Sequence, residues 1–307
     1  VIVVVGESLV DIVDRQDGQE PDEQVGGGPL NIAVGLARLD QPALLITQTA
    51  RDARGERIQQ RLHDNEVEVV VAPTASGRTS TATALVDASG AASYDFDLEW
   101  TLPHQELPDC DALHVGSLGT ALDPGRTSVL DLVEQAYGRG TFLSFDPNLR
   151  PAFTDSAEAA WRDVESIADR ATLVKMSDED VALMQPGADP ADIARILLQG
   201  ERTELVVVTH GAGGAVGYAE GIEVGVPTPQ VDVADTVGAG DSFMSALLAI
   251  LADDGALSTY GGGLPADEAG LHRLLTGAAT AAAVTCSRRG ADPPRRSELP
   301  DGWPAEQ

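Results

Sequence analysis

One lysine, Lys175, stands in a chain of 307 residues that carries 49 Asp and Glu against 20 Lys and Arg, for a formal charge of −29. A chain so poor in cations is unsuited to nucleic acid or to an anionic membrane surface. The two cysteines, Cys110 and Cys286, are too few for a disulfide framework, and their neighbours do not suggest a metal site. Aromatic residues amount to 4%, which leaves little stacking surface for a nucleoside substrate. No apolar run approaches the ~18 residues of a membrane span. The run Val1–Val5 is short and leads directly into Gly6, so no secretory leader is expected and a cytoplasmic location follows. A Walker A loop needs a lysine within it, and Lys175 has no such setting. The five histidines (63, 104, 114, 210 and 272) share no ligand spacing, and a Gly-x-Ser-x-Gly elbow is absent. Phosphate-loop, zinc-hydrolase and serine-hydrolase readings fall away together.

What is present is a βα rhythm. Val1–Val5 is a β-branched run of the kind that forms a buried strand. Gly26-Gly27-Gly28-Pro29-Leu30-Asn31 then opens a helix, followed by a strand at Ala43–Thr47, a helix near 54–63 and a strand at 67–71. Residues 78–86 and 91–98 alternate with period 2 around Asp87-Ala88-Ser89-Gly90, which predicts a β-hairpin. With the polar stretch after the first strand, this predicts a small β-sheet lid from segments of about 12–25 and 78–100. The rhythm resumes with strands at Ala112–Val115, Thr141–Phe145, Thr172–Lys175 and Leu205–Val208, separated by helices. Two further strands (Ala215–Ala219 and 222–226), a helix from Ala239, a mobile loop at Gly261–Gly263 and a helix over about 266–284 complete the pattern. Alternation of this kind predicts an α/β fold with a mostly parallel central sheet covered by helices on both faces, in one domain spanning 1–307.

The chemistry gathers in Asp235-Thr236-Val237-Gly238-Ala239-Gly240-Asp241-Ser242-Phe243. Glycines let the backbone approach a ligand, and the free amides at a helix start attract an anion. Asp241 adds a carboxylate, which repels an anion and makes sense as a base for a nucleophile attacking a bound phosphate. The plainer reading is an acid in a helix first turn. Polar clusters follow strands at Asp11, at 146–150, at 177–180, at 209–214 and at 235–241. In a parallel sheet, five clusters at one strand end converge on one crevice. Gly211-Ala212-Gly213-Gly214 and Gly238-Ala239-Gly240 are weak dinucleotide-like matches. The first runs into a strand and the second comes late in the chain, which disfavours a dehydrogenase.

The 235–243 stretch resembles the C-terminal signature of the ribokinase-like (PfkB) carbohydrate kinases, and Gly26-Gly27-Gly28-Pro29-Leu30-Asn31-Ile32-Ala33 resembles the N-terminal one. Asp146-Pro147-Asn148-Leu149-Arg150-Pro151 is similar to the fructokinase and 2-keto-3-deoxygluconate kinase branch. The resemblance covers essentially the whole chain and implies a ribokinase-like three-layer α/β/α sandwich with a small β-sheet lid. It implies ATP-dependent phosphorylation of a sugar hydroxyl, fructose first and 2-keto-3-deoxygluconate second. Asp241 would be the base, and the amides of Gly238, Ala239 and Gly240 would form the anion hole. Asp11, Gly27, Gly28, Asn31 and Arg150 would bind sugar. Lys175, Thr209, Gly211, Gly213 and Ala279 would line the ATP site. Asp180 would organise Mg2+, and Asp235, Val237, Cys286 and Gly290 would hold a monovalent cation such as K+. The plainer alternatives are a turn role for Asp11, a helix cap for Asn31, a surface ion pair for Arg150 and core packing for Ala279. The family usually has Asn-x-x-Glu where this chain has Ser177-Asp178-Glu179-Asp180, so Asp180 reaches one methylene less far. Trp100, Tyr94 and Phe96 fall on the lid hairpin, where a Trp stacks on sugar or else serves core or dimer packing. Exposed lid strands point to a homodimer. The rival from another class is a catalytically silent sugar-binding regulatory protein, whose mark would be loss of the acid or the glycines.

Overall fold

Thirteen strands and eight α-helices are laid out in two sheets and their flanking layers in the computed structural model, which describes all residues except 16, 17, 19, 87–91, 258–263, 266 and 305–307. The turn expected at 87–90 and the loop expected at 261–263 lie outside the described residues.

The large sheet has nine strands, in the spatial order Ile222–Val226, Ala215–Ala219, Leu205–Thr209, Leu173–Ser177, Phe142–Asp146, Ala112–Gly116, Ile2–Val5, Ala43–Thr49 and Glu68–Pro73. Seven run parallel, and the hairpin at 215–226 adds two strands antiparallel at one edge. The inner strands are buried on both faces, which is why Val1–Val5 reads as a continuous apolar run, while the edge strand Glu68–Pro73 is largely exposed. Period-2 alternation splits the core in two. Ile2, Val4, Ala112, Phe142, Leu173, Leu205 and Val207 pack under helices Gly28–Arg38, Ala53–Asp64, Ala239–Asp253 and Glu268–Cys286. Val3, Val5, Leu113, Val115, Leu143, Phe145, Val174 and Met176 pack under Gly125–Arg139, Ala157–Ala168, Asp178–Met184 and Pro190–Leu197. This is the expected α/β/α sandwich.

The chain starts at the middle of the sheet, grows to one side through 43–73, then crosses Ile2–Val5 and grows to the other side from Ala112. The reversal leaves a crevice at the carboxyl ends of Ile2–Val5 and Ala112–Gly116, where such sheets hold ligands.

The small sheet has four strands in the order Asp22–Gly26, Leu9–Asp14, Thr81–Val86, Ala92–Asp97. It begins three residues before the expected lid boundary at 12, so Asp11 sits inside a lid strand rather than in a loop after the first strand. Two short strands joined by the tight Gly6-Glu7-Ser8 break are hard to separate from one apolar run. The other boundary also moves. Trp100 is 4% exposed in the main core, donates from Nε1 to the Gly119 carbonyl (3.1 Å) and lies against Gly125. Of the roles open to it, core packing is the one the structure assigns, and the lid proper ends at Asp97. Tyr94 is exposed and stacks with Phe96, which meets Phe153 edge-on at 5.0 Å. Among the described residues no helix is long and apolar enough to cross a membrane.

Candidate active site

Each of the three consecutive glycines at 26–28 faces a different neighbour, and only Gly27 meets backbone. A Cβ on Gly26 would fall 2.0 Å from Asp11 Oδ2, and one on Gly27 would fall 2.6 Å from the Glu7 carbonyl oxygen. Gly27 also has φ +109°, which L side chains rarely adopt. A Cβ on Gly28 would stand 3.3 Å from both Asn148 Nδ2 and Asp241 Oδ1. This run therefore sets the backbone directly against the acids and amides of the crevice.

Asp241 lies in the first turn of helix 239–253 and is 8% exposed. Asn31 Nδ2 donates to its Oδ2 at 2.9 Å. Asn31 is thus no helix cap: the cap of its helix is Gly27, and its side chain crosses to Asp241. The other end of that amide, Oδ1, is buried with no hydrogen-bond partner among the described residues. A buried acceptor left open beside a carboxylate suits a ligand hydroxyl. Burial raises the pKa of Asp241, while the Asn31 bond and the charges of Lys175 and Arg150 oppose the rise. A carboxylate so raised is a better proton acceptor than an exposed one.

Gly238, at φ +75°, starts the helix against Ala291, which a Cβ would meet at 2.6 Å. The Ala239 amide donates to the Thr236 carbonyl (3.2 Å). The expected anion hole of Gly238, Ala239 and Gly240 is corrected at its middle member, whose amide closes the turn. Among the described residues no acceptor takes the amides of Gly238, Gly240 or Asp241, and they are the groups left to an anion.

Lys175 is buried beneath this helix start, with Nζ 3.4 Å from where a Cβ of Gly240 would lie. It donates to Asp146 Oδ2 at 2.7 Å. Burial works against its charge, yet Asp146, Asp180 and Asp241 hold its pKa above the ordinary lysine value. On the sugar side, Asp11 is raised to about 6 by burial, with Arg150 opposing and Asp241 adding to the rise. Arg150 is exposed and held by Asn148, whose Oδ1 accepts from Nη1 at 2.6 Å. Among the described residues it forms no ion pair, and its charge lowers the pKa values of Asp11, Glu7 and Asp241 against their burial.

Asp180 has a different task from the one expected. Its Oδ1 accepts from the Leu149 amide (2.7 Å), and its Oδ2 accepts from the Ser177 amide (2.8 Å) and hydroxyl (2.7 Å). It is buried and closes a capping box that fastens the 146–150 loop. The shorter acid fits because its reach is local, and each of its oxygens already accepts from a neighbour. Among the described residues no group of three His, Cys, Asp or Glu could hold a metal. The donor set therefore does not fit a protein-bound divalent ion.

The cation residues do come together. Asp235 accepts from the amides of Val237 (3.1 Å) and Gly290 (2.9 Å), and the Cys286 carbonyl accepts from those of Ala234 and Asp235. Burial works against the Asp235 charge, but those amides and Arg289 hold its pKa low. Oxygens of a carboxylate and a carbonyl suit a monovalent cation in type, whereas Gly290 presents its amide and the Val237 side chain is exposed. Farther along the sheet edge, Gly211 (φ +53°) and Gly213 are exposed, and Thr209 Oγ1 reaches the Met176 carbonyl at 3.4 Å. Ala279 is 7% exposed and belongs to the main core.

Two residues escaped the sequence reading as members of the site, Glu7 and Ser117, and two more, Asp146 and Asn148, were placed there only as part of the 146–150 cluster, without a role. Glu7 is fully enclosed at the crevice, accepts from the Gly119 amide (3.0 Å), and is pushed up to about 7 by burial, against hydrogen bonds from Ser117 and Gly119. Ser117 and Asn148 have φ of +52° and +41°, backbone strain of the kind found at ligand sites. The signal for Glu7 was an acid directly after the central strand, and that for Asp146 an acid closing an apolar one.

With this geometry in hand, comparison with known proteins is informative. A model described as the pfkB family carbohydrate kinase matches residues 1–298. A probable fructokinase-4 of Arabidopsis thaliana is 30% identical over 97% of this chain and 95% of its own length. A fructokinase of Rhizobium leguminosarum bv. trifolii is 34% identical over 84% of this chain and 81% of its own. A double mutant of the fructokinase from Vibrio cholerae O395, solved with fructose, ADP and potassium ion bound, superposes with a TM-score of 0.79 at 26% identity, covering 94% of this chain and 93% of that one.

Proposed function

The chain belongs to the pfkB family of carbohydrate kinases, and from that premise we propose that it transfers the terminal phosphoryl group of ATP to a hydroxyl of fructose. The carrying observation is Asp241: a buried carboxylate tied to Asn31 on the sugar side, with unpaired helix-start amides and Lys175 on the phosphate side.

Fructose would lie in the crevice over Gly27 and Gly28, with its hydroxyls directed by Asp11, by the open Asn31 Oδ1 and by Arg150. Asp241 accepts the proton of the attacking hydroxyl. The amides of Gly238, Gly240 and Asp241, with Lys175, face the charge that develops on the phosphoryl oxygens. ATP would run from there past Thr209, Gly211 and Gly213, with Ala279 as the edge of the core behind its base. Residues 1–307 act as one kinase domain, whose small sheet excludes water from the crevice and so suppresses ATP hydrolysis. Since the described residues offer no carboxylate set for it, a divalent ion such as Mg2+ would arrive with the nucleotide. Asp235 and the Cys286 carbonyl are the groups we assign to a potassium ion. A homodimer through the small sheet, where Tyr94 is exposed, and a cytoplasmic location complete the proposal.

A coupled assay of ADP release with fructose, 2-keto-3-deoxygluconate and ribose tests the reading. The expected result is the highest kcat/KM on fructose. A preference for 2-keto-3-deoxygluconate would transfer the activity to the acid sugar, where Arg150 would face the carboxylate. Sugar binding without ADP release for every sugar would mark a silent binding protein, a reading that the intact acid and glycines disfavour.

A further inference from the structure

The proposed reaction leaves Asp146 without a part. Its residue closes strand Phe142–Asp146, and period-2 alternation puts it on the same sheet face as Ser144 and, one strand over, Lys175. The main chain of Gly116 runs so close that a Cβ there would lie 2.0 Å from the Asp146 carbonyl oxygen. Asp146 therefore stands at the carboxyl end of the strand next to the switch point. Oδ2 accepts from Lys175 at 2.7 Å, both side chains are 5% exposed or less, and Oδ1 is buried with no hydrogen-bond partner among the described residues. Buried ion pairs of this kind rarely add stability over an apolar pair, so retaining one calls for another reason.

That reason lies in what surrounds the ammonium. Lysine is a point charge on a four-carbon stem, free to turn toward any acid in reach. Here three carboxylates bear on it: Asp146, Asp180 and Asp241. Asp180 is held by Leu149 and Ser177. Were Lys175 to swing onto Asp241, it would hold that acid ionised and blunt it as a base. We infer that Asp146 is a positioning residue for phosphoryl transfer: it anchors the Lys175 ammonium beside Gly240 and away from Asp241, leaving two N–H groups for the transferring phosphoryl. The inference rests on the kinase reading.

Because Lys175 is the only lysine, protein made with 13Cε-lysine gives a single side-chain resonance. In the wild type that resonance reports an ammonium that resists deprotonation into strongly alkaline solution. In Asp146→Asn it shifts and titrates at lower pH. The same variant loses about 10- to 100-fold in kcat, as misplacement of one charge in a site does, with the fructose KM within about threefold. Lys175→Met shows the same loss, and adding Asp146→Asn to it costs less than about threefold more, because Asp146 acts through the lysine. Wild-type kcat in Asp146→Asn, an unmoved resonance, or fully multiplicative losses in the double variant would each overturn the inference. Should Asp146→Asn fail to fold, the double variant, which lacks both charges, decides: turnover near wild type in it or in Lys175→Met overturns the inference. The resonance needs no substrate, so an enzyme that prefers another sugar, or turns over none, is recognised separately by the substrate panel.

Discussion

Replacing Asp241 by asparagine separates the chemistry of the site from its architecture. The amide can still accept from Asn31 Nδ2 through its oxygen, so the 2.9 Å contact and the packing around it have no reason to change. What disappears is the proton acceptor, which is expected to lower kcat by about 10²–10⁴, or about 3–5.5 kcal/mol in the barrier. The sugar Kd should move by less than about threefold, since Asn31, Asp11 and Arg150 remain. The effect on stability has the opposite sign. Burial raises the folded pKa of Asp241 above its unfolded value, so the stability linked to its proton is present below the ordinary aspartate range and lost as pH rises through the folded pKa. At neutral pH the wild type holds this charge at a cost that the variant escapes. Tm at pH 7.5 should therefore stay level or rise while turnover collapses. Coupled ADP release, calorimetric fructose binding and a thermal melt on the same preparation read all three. Turnover within about fivefold of wild type would remove Asp241 as the base, and a loss of activity accompanied by a large fall in Tm would make it a structural acid instead.

Glu7, held at about 7 against an ordinary 4.5, likewise loses its linked stability as pH rises through 7. Glu7→Gln should gain on the wild type between pH 5 and 8 by on the order of 2–3 kcal/mol, seen as a few degrees in the difference of their melting temperatures. An equal difference at both pH values would show that Glu7 titrates normally. Gly27→Ala meets the Glu7 carbonyl and a forbidden φ, and should destabilise by about 2–4 kcal/mol in a denaturant melt. Gly28→Ala instead presses a methyl toward Asp241 and Asn148 at 3.3 Å. It should melt nearly as the wild type but raise the fructose KM by about tenfold. Trp100→Phe, within the core and one residue removed from Glu7 through Gly119, should cost about 1–3 kcal/mol in stability and leave the fructose KM unchanged. A raised KM there would reinstate Trp100 as a sugar-stacking residue.

The layout of this protein was legible because its signals are local. Five apolar β-branched residues make a strand that must be covered on both sides, and glycines before a helix make a turn with free amides. Repeated strand–helix alternation admits few topologies. Those facts determined the α/β sandwich, the helix start at 239 and the carboxylate of Asp241 upon it. The residues joined to Asp241 were not legible, since Asn31 is 210 positions away and suits a helix cap equally well on local grounds. Trp100 looked like part of the lid because sequence neighbours share an element by default, and only the packing against Gly125 and Gly119 moves it into the core. Asp180 shows the same limit from the other side. An acid three residues after a serine can organise a metal or close a capping box, and the choice was made by the amide of Leu149, brought there from another strand's end. Sequence alone located the helix start and its run of free amides, because hydrogen bonding there is local, but not which of them the turn would use: the Ala239 amide goes to Thr236. Tertiary structure decided which side chains are buried together: burial raises the proton affinities of Glu7, Asp146 and Asp241, and the carboxylates gathered around Lys175 raise that of the lysine against its own burial.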